Sequence, residues 1–581
     1  MEFLGVTSSL SGRKWIGPTE DVRRRSEAMA QQTGLAMALC ATLARLGVTA
    51  EDAERYLDPK LQDLLPDPQT LKDMDRASAR IVQSVQSKER VAIFADYDVD
   101  GGTSAALWMS WYRHFNIEPT LYIPDRIDEG YGPNDEAMSM LARDHDLIIC
   151  VDCGTLSHGP IAAAKGADVI VLDHHLGGET LPDCVAVVNP NRQDETGDLA
   201  HLCAAGVVFL TQVACRRHLR DLNIPSPDLM ALLDLVALGT VADVAPLIGV
   251  NRAFVRTGLK VMARRDRIGL VALADCAGMN TAPNSYHLGF LLGPRINAGG
   301  RIGQADLGAR LLASTSPHEA QAMADKLDQL NKERREVENQ VRLLAMDQAQ
   351  ERGLEGGLVW AAGEGWHPGV VGIVASRLKE ATGRPAVVIG LDGDEGKGSG
   401  RSVSGIDLGA SIQRVAAEGL FVKGGGHKMA AGLTVSRDKL EPAMERLAEL
   451  LAKQGAGDLG PADLKLDGML MPGAATVPLI EQIDQAGPFG AGAPAPRYGF
   501  PDLQVRFAKR IGESHLKLSL SDGLSSGIDA ICFGAFDTAL GPRLLDHGGA
   551  RLRELWNQFI HRFNHQMHID RCGDTVIAQR L

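Results

Sequence analysis

Apolar residues in this chain fall into two kinds of run. Short unbroken runs, rich in β-branched residues, predict buried strands at Val91–Ala95, Thr120–Ile123, Leu147–Val151, Val169–Leu172 and Val185–Val188. Between them apolar positions return every three or four residues, as in Gly101–Phe115, and predict helices. Asn189-Pro190 stops the last strand. This βαβ rhythm predicts a mostly parallel sheet, hence an α/β fold class. The region from about Ala204 to Ala277 reads as helical, and Ala36 to Arg80 as short amphipathic helices broken by Pro59, Pro66 and Pro68.

Ser316-Pro317-His318-Glu319 carries the cap, first-turn proline and reciprocal acid that open a helix. Its predicted apolar stripe is Met323, Leu327, Leu330, Val337, Val341 and Leu344, with mixed charge elsewhere, as suits a connector between two lobes. A second, smaller α/β unit follows from about Gly357 to Leu451, with strands at Leu358–Ala361 and Ala386–Ile389 and a helix at Val370–Ala381. Beyond the Gly- and Pro-bearing stretch Lys453–Pro461, the strands Phe500–Ala508, His515–Leu520 and Ala530–Phe533 read as a small β-barrel or sandwich. The expected divisions are a helical extension over 1–80, a parallel-sheet domain over 81–285, a connector with the long helix over 286–355, a second α/β domain over 356–455 and the β-domain over 456–581.

The chain has 581 residues, 45% of them hydrophobic, with a formal net charge of −13, which argues against a protein that coats nucleic acid by bulk charge. An enzyme that threads a strand through a local basic groove is compatible with it. No apolar stretch is long enough to span a bilayer, and residues 1–25 lack the order of a secretory signal, so no membrane role is expected. The nine cysteines are scattered. Cys150 and Cys153 have redox-like spacing, but Cys150 belongs to an apolar strand, so two buried or half-buried thiols in a reducing cytoplasm are expected.

Candidate chemistry gathers where the predicted strands end. Asp96, Asp98 and Asp100 follow the first strand, Asp152 the strand Leu147–Val151, and Asp173-His174-His175 the strand Val169–Leu172; Asp243 follows an apolar helix. Any one of these alone could be a turn. Together they bring oxygen and imidazole donors to one edge of one sheet, where open α/β folds bind ligands. The set exceeds what one small cation takes and suits two metals bridged by a carboxylate, a site for in-line displacement at phosphorus. The imidazole shifts preference from Ca²⁺ toward Mn²⁺, with Mg²⁺ also suited.

Asp98-Val99-Asp100, Asp152-Cys153-Gly154, Asp173-His174-His175 and Gly239-Thr240-Val241-Ala242-Asp243 resemble, in order, the motifs of the DHH phosphoesterase superfamily. Within it the chain is similar to the bacterial exonucleases specific for single-stranded DNA. Ala95–Gly101, Ile123–Arg126 with Glu129–Gly132, Gly293–Arg301, Trp366–Gly372 and Gly424–His427 carry that likeness. The resemblance implies Asp98 on a first divalent cation, Asp100 on a second, Asp152 between them, and His174 and Asp243 completing the second site. His175 would lie beside the reacting phosphate and Asp173 would orient the histidines. Small relatives have a histidine where this chain has Phe94, and Asp96 is expected to supply the missing donor.

The second lobe resembles the DHH-associated domain, in which Gly425, Gly426 and His427, with Ser399 and Arg401, would cradle phosphate, joined by Arg126, Arg295 and Arg301. For Arg295 a salt bridge at the lobe interface is the competing reading, and for the glycine runs a flexible turn. Gly487–Gly492 and His515–Leu518 resemble the appended oligonucleotide-binding barrel, with Arg506, Lys509, Arg510 and Lys517 as phosphate contacts. The implied activity is 5′→3′ exonucleolysis of single-stranded DNA with release of mononucleotides, in recombination and repair. A single-strand-binding protein and a helicase are implied partners, and no nucleotide cofactor is expected. Two alternatives are a phosphodiesterase of short oligoribonucleotides or cyclic dinucleotides, and a catalytically dead scaffold. The barrel and the connector favour a polymer substrate, and the near-complete ligand set favours an enzyme.

Overall fold

The computed structural model describes residues 2–9, 13–126, 128–457, 463–524, 527–537, 540–546, 551–557, 567–569 and 579–580. Two compact units account for them: 58–335 with 488–494, and 1–57 with 336–487 and 495–581.

The first unit is built on a five-stranded sheet of β1 (Val91–Ala95), β2 (Thr120–Tyr122), β3 (Leu147–Val151), β4 (Asp168–Leu172) and β5 (Ala186–Val188). All pairs are parallel and the order is β2-β1-β3-β4-β5. Every residue of β1 and β3 is buried, as expected for strands covered on both faces, and this is why their sequences run apolar without alternation. The order reverses between β1 and β3, so the crevice at the carboxyl ends of those two strands is the switch point where doubly wound sheets take ligands.

The helix after β1, α1 (Val99–Arg113), starts two residues before the sequence-based expectation of Gly101. The reason is Asp98, whose side chain accepts from the Asp100 and Gly101 amides at 2.8 and 3.1 Å and so caps the helix. Helix α1 is buried almost all round, with Trp111 meeting both Trp108 and Tyr112 edge to face. The region 204–277 is helical as read, and includes α2 (Ala204–Asp221), α3 (Leu233–Ala242), Gly249–Met262 and Ile268–Cys276. A π-helix at His287–Leu292 runs straight into α4 (Gly293–Ile302).

The long helix α5 (Pro317–Arg352) begins at the predicted cap, where Ser316 Oγ accepts from the Glu319 amide. Residues 317–335 belong to the first unit and 336–352 to the second. Its stripe holds at Leu327, Leu330 and Val341 but not at Leu344, which is 53% exposed. Four-residue steps from Val341 instead bury Ala345 and Ala349 against Val359, Trp366 and Val370.

In the second unit β6 (Val359–Glu364), β7 (Ala386–Asp392), β8 (Glu395–Arg401), β9 (Lys423–Gly426) and β10 (Ala430–Ser436) form a sheet in the order β9-β10-β8-β7-β6, parallel only at β6–β7. Helix α6 (Pro368–Thr382) packs on it. The glycine-rich segments are therefore strands, not flexible turns. In β8 the alternate residues Gly396, Gly398 and Gly400 face core side chains; a Cβ on Gly398 would lie 2.8 Å from Ile389 and 2.9 Å from Leu433. Ser399 and Arg401 then fall on the other face.

The β-domain centres on β11 (Arg497–Ile511), flanked by β12 (His515–Ser521) and β14 (Arg551–Asn557), with β13 (Ile528–Cys532) beyond β12. Two register shifts in β11 bend it, as a curled oligonucleotide-binding-type sheet requires. Tyr498 and Phe500 are buried there and Phe507 is exposed. The side chain of Trp556 lies outside the described residues. The first 57 residues pack with this region: Trp15–Ile16 pairs in parallel with Leu464–Lys465, and Arg45 pairs with the buried Asp467.

The helix registers predict a sharp contrast between neighbours. Leu344→Lys should change stability by no more than ~0.5 kcal/mol, as an exposed substitution does. Ala345→Lys should cost several kcal/mol, on the order expected for burying an unpaired charge, read as a fall in the denaturation midpoint of the second unit.

Candidate metal centre

The sheet itself places the first acids. Asp96, Asp152 and Asp173 are each the first residue past a strand, and each amide still joins the ladder: Asp96 to Val151 O at 3.3 Å, Asp152 to Leu172 O at 3.0 Å, Asp173 to Val188 O at 3.1 Å. Their side chains thus start from one rigid edge. Asp152 sits at φ 61°, in the left-handed region that, among residues other than glycine, asparagine and aspartate enter most readily. Val244, directly after Asp243, is also at φ 61°, where a β-branched residue is strained.

Asp100 lies within the first turn of α1 and is fully buried. Its two oxygens accept from the Ala204 and Ala205 amides at 2.6 and 2.9 Å, so the amino-terminal end of α2 stabilises its charge. Two glycines permit the approach. A Cβ on Gly101 would lie 2.3 Å from Asp96 O. On Gly239 it would lie 2.6 Å from Thr103 Oγ1 and 2.8 Å from Asp100 Oδ1, so only glycine lets α3 seat against that carboxylate.

These placements bring six predicted ligands together. One group is Asp96, Asp98 and Asp152; another is Asp100, His174 and Asp243; donor atoms within each group lie within 4.8 Å of one another. His174 Nε2 is 3.2 Å from Asp152 Oδ1 and 3.9 Å from Asp100 Oδ2, and its Nδ1 is 3.9 Å from Asp243 Oδ2. Asp96 Oδ1 and Asp152 Oδ1 are buried and accept no hydrogen bond from the described residues. Burial and then the Asp98 charge push Asp96 well above the carboxylate range, and burial with the charges of Asp98, Asp100 and Asp96 does the same to Asp152. Burial, then Asp100 and Asp98, push Asp243 up to about 8. Orphaned buried oxygens in a cluster that repels its own charge fit divalent cations, and oxygen with one imidazole fits Mn²⁺ or Mg²⁺.

Asp173 faces other work. It accepts from Thr155 N, Thr155 Oγ1, His174 N, His175 N and His175 Nδ1 at 2.6 to 3.2 Å. Burial would raise it, but the hydrogen bond and charge of His175 outweigh that and hold it below the usual range. Burial likewise opposes the charge on His175, yet the Asp173 hydrogen bond and charge carry it up to about 9. Asn189 donates to His175 O and Asn191 to His174 O, at 2.8 and 2.6 Å, which fixes the loop that bears both histidines. Tyr131 O–H donates to Asp152 O at 3.0 Å and lies 3.0 Å from His175 Nδ1. Sequence reasoning read Asn189 only as a strand stop and Tyr131 only as part of a motif. Thr155 and Asn191 carried no signal of their own. Phe94 is buried and stacks on Tyr122 at 5.4 Å, contributing no donor.

The predicted phosphate residues separate into groups. Arg126 lies over the Tyr97 ring at 4.9 Å, and Arg301 is close enough to act on the same phenol electrostatically. Arg295 binds Asp328 through Nε at 2.9 Å and Leu291 O through Nη1 at 2.7 Å, an ion pair inside the first unit. In the second unit Arg401 Nη1 donates to Ser399 Oγ at 2.9 Å and Gly400 O at 2.8 Å, beside Gly372 of α6. Gly425 and Gly426 are in β9; His427 is exposed, its amide bonded to Ala430 O. In the β-domain Lys517 pairs with Asp529 at 3.0 Å, and Arg510 lies over Phe536, while Arg506 and Lys509 are exposed. Cys150 and Cys153 are buried, unbridged thiols whose pKa burial raises, which is not a redox environment.

Residues 90–240 match the DHH family, N-terminal domain; 355–453 match the DHHA1 domain; 466–566 match the RecJ OB domain. Over 543 residues the chain is 36% identical to the single-stranded-DNA-specific exonuclease RecJ of Escherichia coli, covering 90% of this chain and 92% of that one. The crystal structure of Thermus thermophilus RecJ with Mn²⁺ superposes with a TM-score of 0.77 at 27% identity, covering 98% of this chain and 78% of that one. The same protein with Mg²⁺ gives 0.71 at 26%, covering 98% and 77%.

Gly239→Ala tests the packing argument. Its methyl would displace Asp100 or part α3 from α1. The expected outcome is a 10- to 100-fold loss in Mn²⁺ affinity, about that of disturbing a residue that supports a metal ligand, measured by calorimetric titration. An unchanged affinity would show that Asp100 is not held by this contact.

Proposed function

We propose that this chain, which belongs to the RecJ family of single-stranded-DNA-specific exonucleases, removes mononucleotides from the 5′ end of single-stranded DNA by hydrolysis. The observation that supports it most is the convergence of Asp96, Asp98, Asp100, Asp152, His174 and Asp243 on one sheet edge. In this reading Asp96 and Asp98 hold one cation, Asp100, His174 and Asp243 the other, and Asp152 is shared. Bound Mn²⁺ or Mg²⁺ supplies Lewis acidity toward the phosphate and makes water a nucleophile near neutral pH. The chain's own groups do the rest. The α2 amides hold Asp100 in place and offset part of the burial that raises it, Asp173 fixes His175 toward the scissile phosphate, and Tyr131 braces that imidazole. Arg126 and Arg301 in the first unit neutralise phosphates, and Ser399, Arg401 and the β9 glycines with His427 are a further set of phosphate contacts in the second unit. Arg295, committed to Asp328, acts by holding α4 to α5.

The β-domain adds a single-strand-binding sheet, which a dinucleotide phosphodiesterase would not need. Work in recombination and repair, alongside a single-strand-binding protein and a helicase in a reducing cytoplasm, completes the proposal. The unbridged cysteines agree with that compartment.

Three measurements test this reading. A linear single strand should be degraded, while a closed single-stranded circle and a blunt duplex should be nearly inert; comparable rates on duplex would refute it. Asp152→Ala should lower kcat by at least about 1,000-fold, since it removes a shared ligand of the metal chemistry, with strand binding largely kept. Arg401→Ala should instead raise KM and flatten the salt dependence of binding by about one phosphate contact, with metal content unchanged. If Arg401→Ala keeps the full salt slope, Arg401 is a packing residue.

A further inference from the structure

The Gly487–Gly492 motif has no role in the site described above. By sequence it opens the β-domain, yet residues 488–494 belong to the first unit, while the chain on both sides of them belongs to the second. Gly490 and Ala493 exchange backbone hydrogen bonds at 2.9 and 3.2 Å, which folds the segment into a tight hairpin. Gly492, at its tip, has φ 70°, in the left-handed region that glycine enters without strain. The hairpin is seated on the turn that follows Asp243. Leu247 N–H donates to Ala491 O at 2.7 Å, and Arg252 Nη1 donates to Pro488 O at 3.4 Å. A Cβ on Gly490 would lie 2.7 Å from Leu247 Cδ1, and one on Gly492 would lie 3.0 Å from Pro246 Cβ.

That turn carries the strain noted at Val244. Helix α3 closes with Ala245 N–H donating to Thr240 O at 3.1 Å and Val244 N–H to Val241 O at 3.2 Å. This closure puts its next residue in the left-handed conformation, a position that glycine usually fills. Here it is Val244, at φ 61°. A β-branched residue stays there only where the surrounding structure over-determines the backbone. Val244 is 70% exposed, so its own side chain supplies little of that support. The residues after it supply more: Ala245 and Leu247 are buried, and the hairpin grips Leu247.

Further contacts run from the same turn. The buried Asn251 donates through Nδ2 to Pro246 O at 3.0 Å and to His201 O at 2.7 Å. His201 lies just before Ala204, whose amide, with that of Ala205, holds Asp100. Asn191 Nδ2 donates to Ala200 O at 3.3 Å and to His174 O at 2.6 Å. Hairpin, turn and the 200–204 loop thus form one run of contacts reaching Asp243, His174 and Asp100, whose donor atoms group together.

We propose that the 488–494 hairpin is a positioning element of the metal centre. By pinning Pro246 and Leu247 it holds Val244 in its strained conformation and keeps Asp243 in place for the cation shared with Asp100 and His174. The inference rests on the reading of Asp243 as a metal ligand. It makes the affinity for one cation, not both, depend on a segment that the sequence places with the β-domain.

The test titrates Mn²⁺ calorimetrically into full-length, metal-stripped enzyme: wild type, Gly492→Val, Val244→Gly, the double variant and Asp243→Ala. Gly492→Val sets a branched side chain at a left-handed φ against Pro246, on an exposed turn. It should weaken one of the two Mn²⁺ sites by about 10- to 100-fold, on the order seen when the support of a metal ligand is lost, and leave the other at wild-type affinity. In the metal-free protein the Leu247 amide should lose its protection from hydrogen exchange. Adding Val244→Gly should restore most of the lost affinity, because glycine keeps the left-handed turn without the hairpin's help. Raised Mn²⁺ should likewise bring kcat of Gly492→Val back, with strand KM unchanged. Wild-type affinity at both sites in Gly492→Val would overturn the positioning role, as would an equal loss at both, which marks general destabilisation. A loss that Val244→Gly fails to rescue would overturn it too, since strain at Val244 is then not what the hairpin opposes. Asp243→Ala decides the ligand reading separately. If it keeps both affinities, that reading fails and the positioning role falls with it; if it loses one and Gly492→Val loses none, only the positioning role fails.

Discussion

The structure is organised around an electrostatic conflict. Asp96, Asp98, Asp100, Asp152 and Asp243 converge at one edge with most of their oxygens out of water. Two like charges 4 Å apart near a protein surface repel by about 4 kcal/mol each, and here several pairs act at once. Only bound cations resolve that repulsion in the ionised state. In their absence the fold must hold the side chains together by other contacts. Ladder hydrogen bonds one residue past each strand do so for Asp96 and Asp152, and the amides of α2 do so for Asp100.

Neighbouring features follow from that requirement. The close seating of α1 on the Asp96 carbonyl and of α3 on Asp100 demands glycine at 101 and 239. The strained φ of Val244 turns the chain immediately after Asp243. Asp173 stands apart from the conflict because it is surrounded by donors, and its charge serves to lock His175. Two acids on adjacent strands thus have opposite fates, decided by whether amides or carboxylates surround them.

Much of this was legible in the residues. The unbroken apolar runs at Val91–Ala95 and Leu147–Val151 located the central strands, because a strand buried on both faces has no polar position to alternate with. The acids directly after them located the site. Other features were invisible for physical reasons. That Gly398 and Gly400 belong to a strand depends on Ile389, Leu433 and Leu408 filling the space above them. Leu344 fits an apolar stripe as well as Ala345 does until the partner surface is known. Arg295 supported both a phosphate contact and an ion pair, and its partner Asp328, 33 residues on, could not be singled out by spacing. The packing of residues 1–57 with the β-domain uses a two-residue strand pairing and an Arg45–Asp467 ion pair 422 residues apart in the chain, neither of which leaves a pattern.

Whether cations resolve the conflict is tested by counting those that the cluster takes up. Metal-stripped protein titrated with Mn²⁺ in a calorimeter, with thermal unfolding followed in parallel, reports both stoichiometry and the stability gained on binding. Two ions per chain are expected, with proton release on binding because burial raises Asp96 and Asp152, and a rise in the unfolding temperature of the sheet domain. Binding of one ion or none, with no change in unfolding temperature, would contradict this.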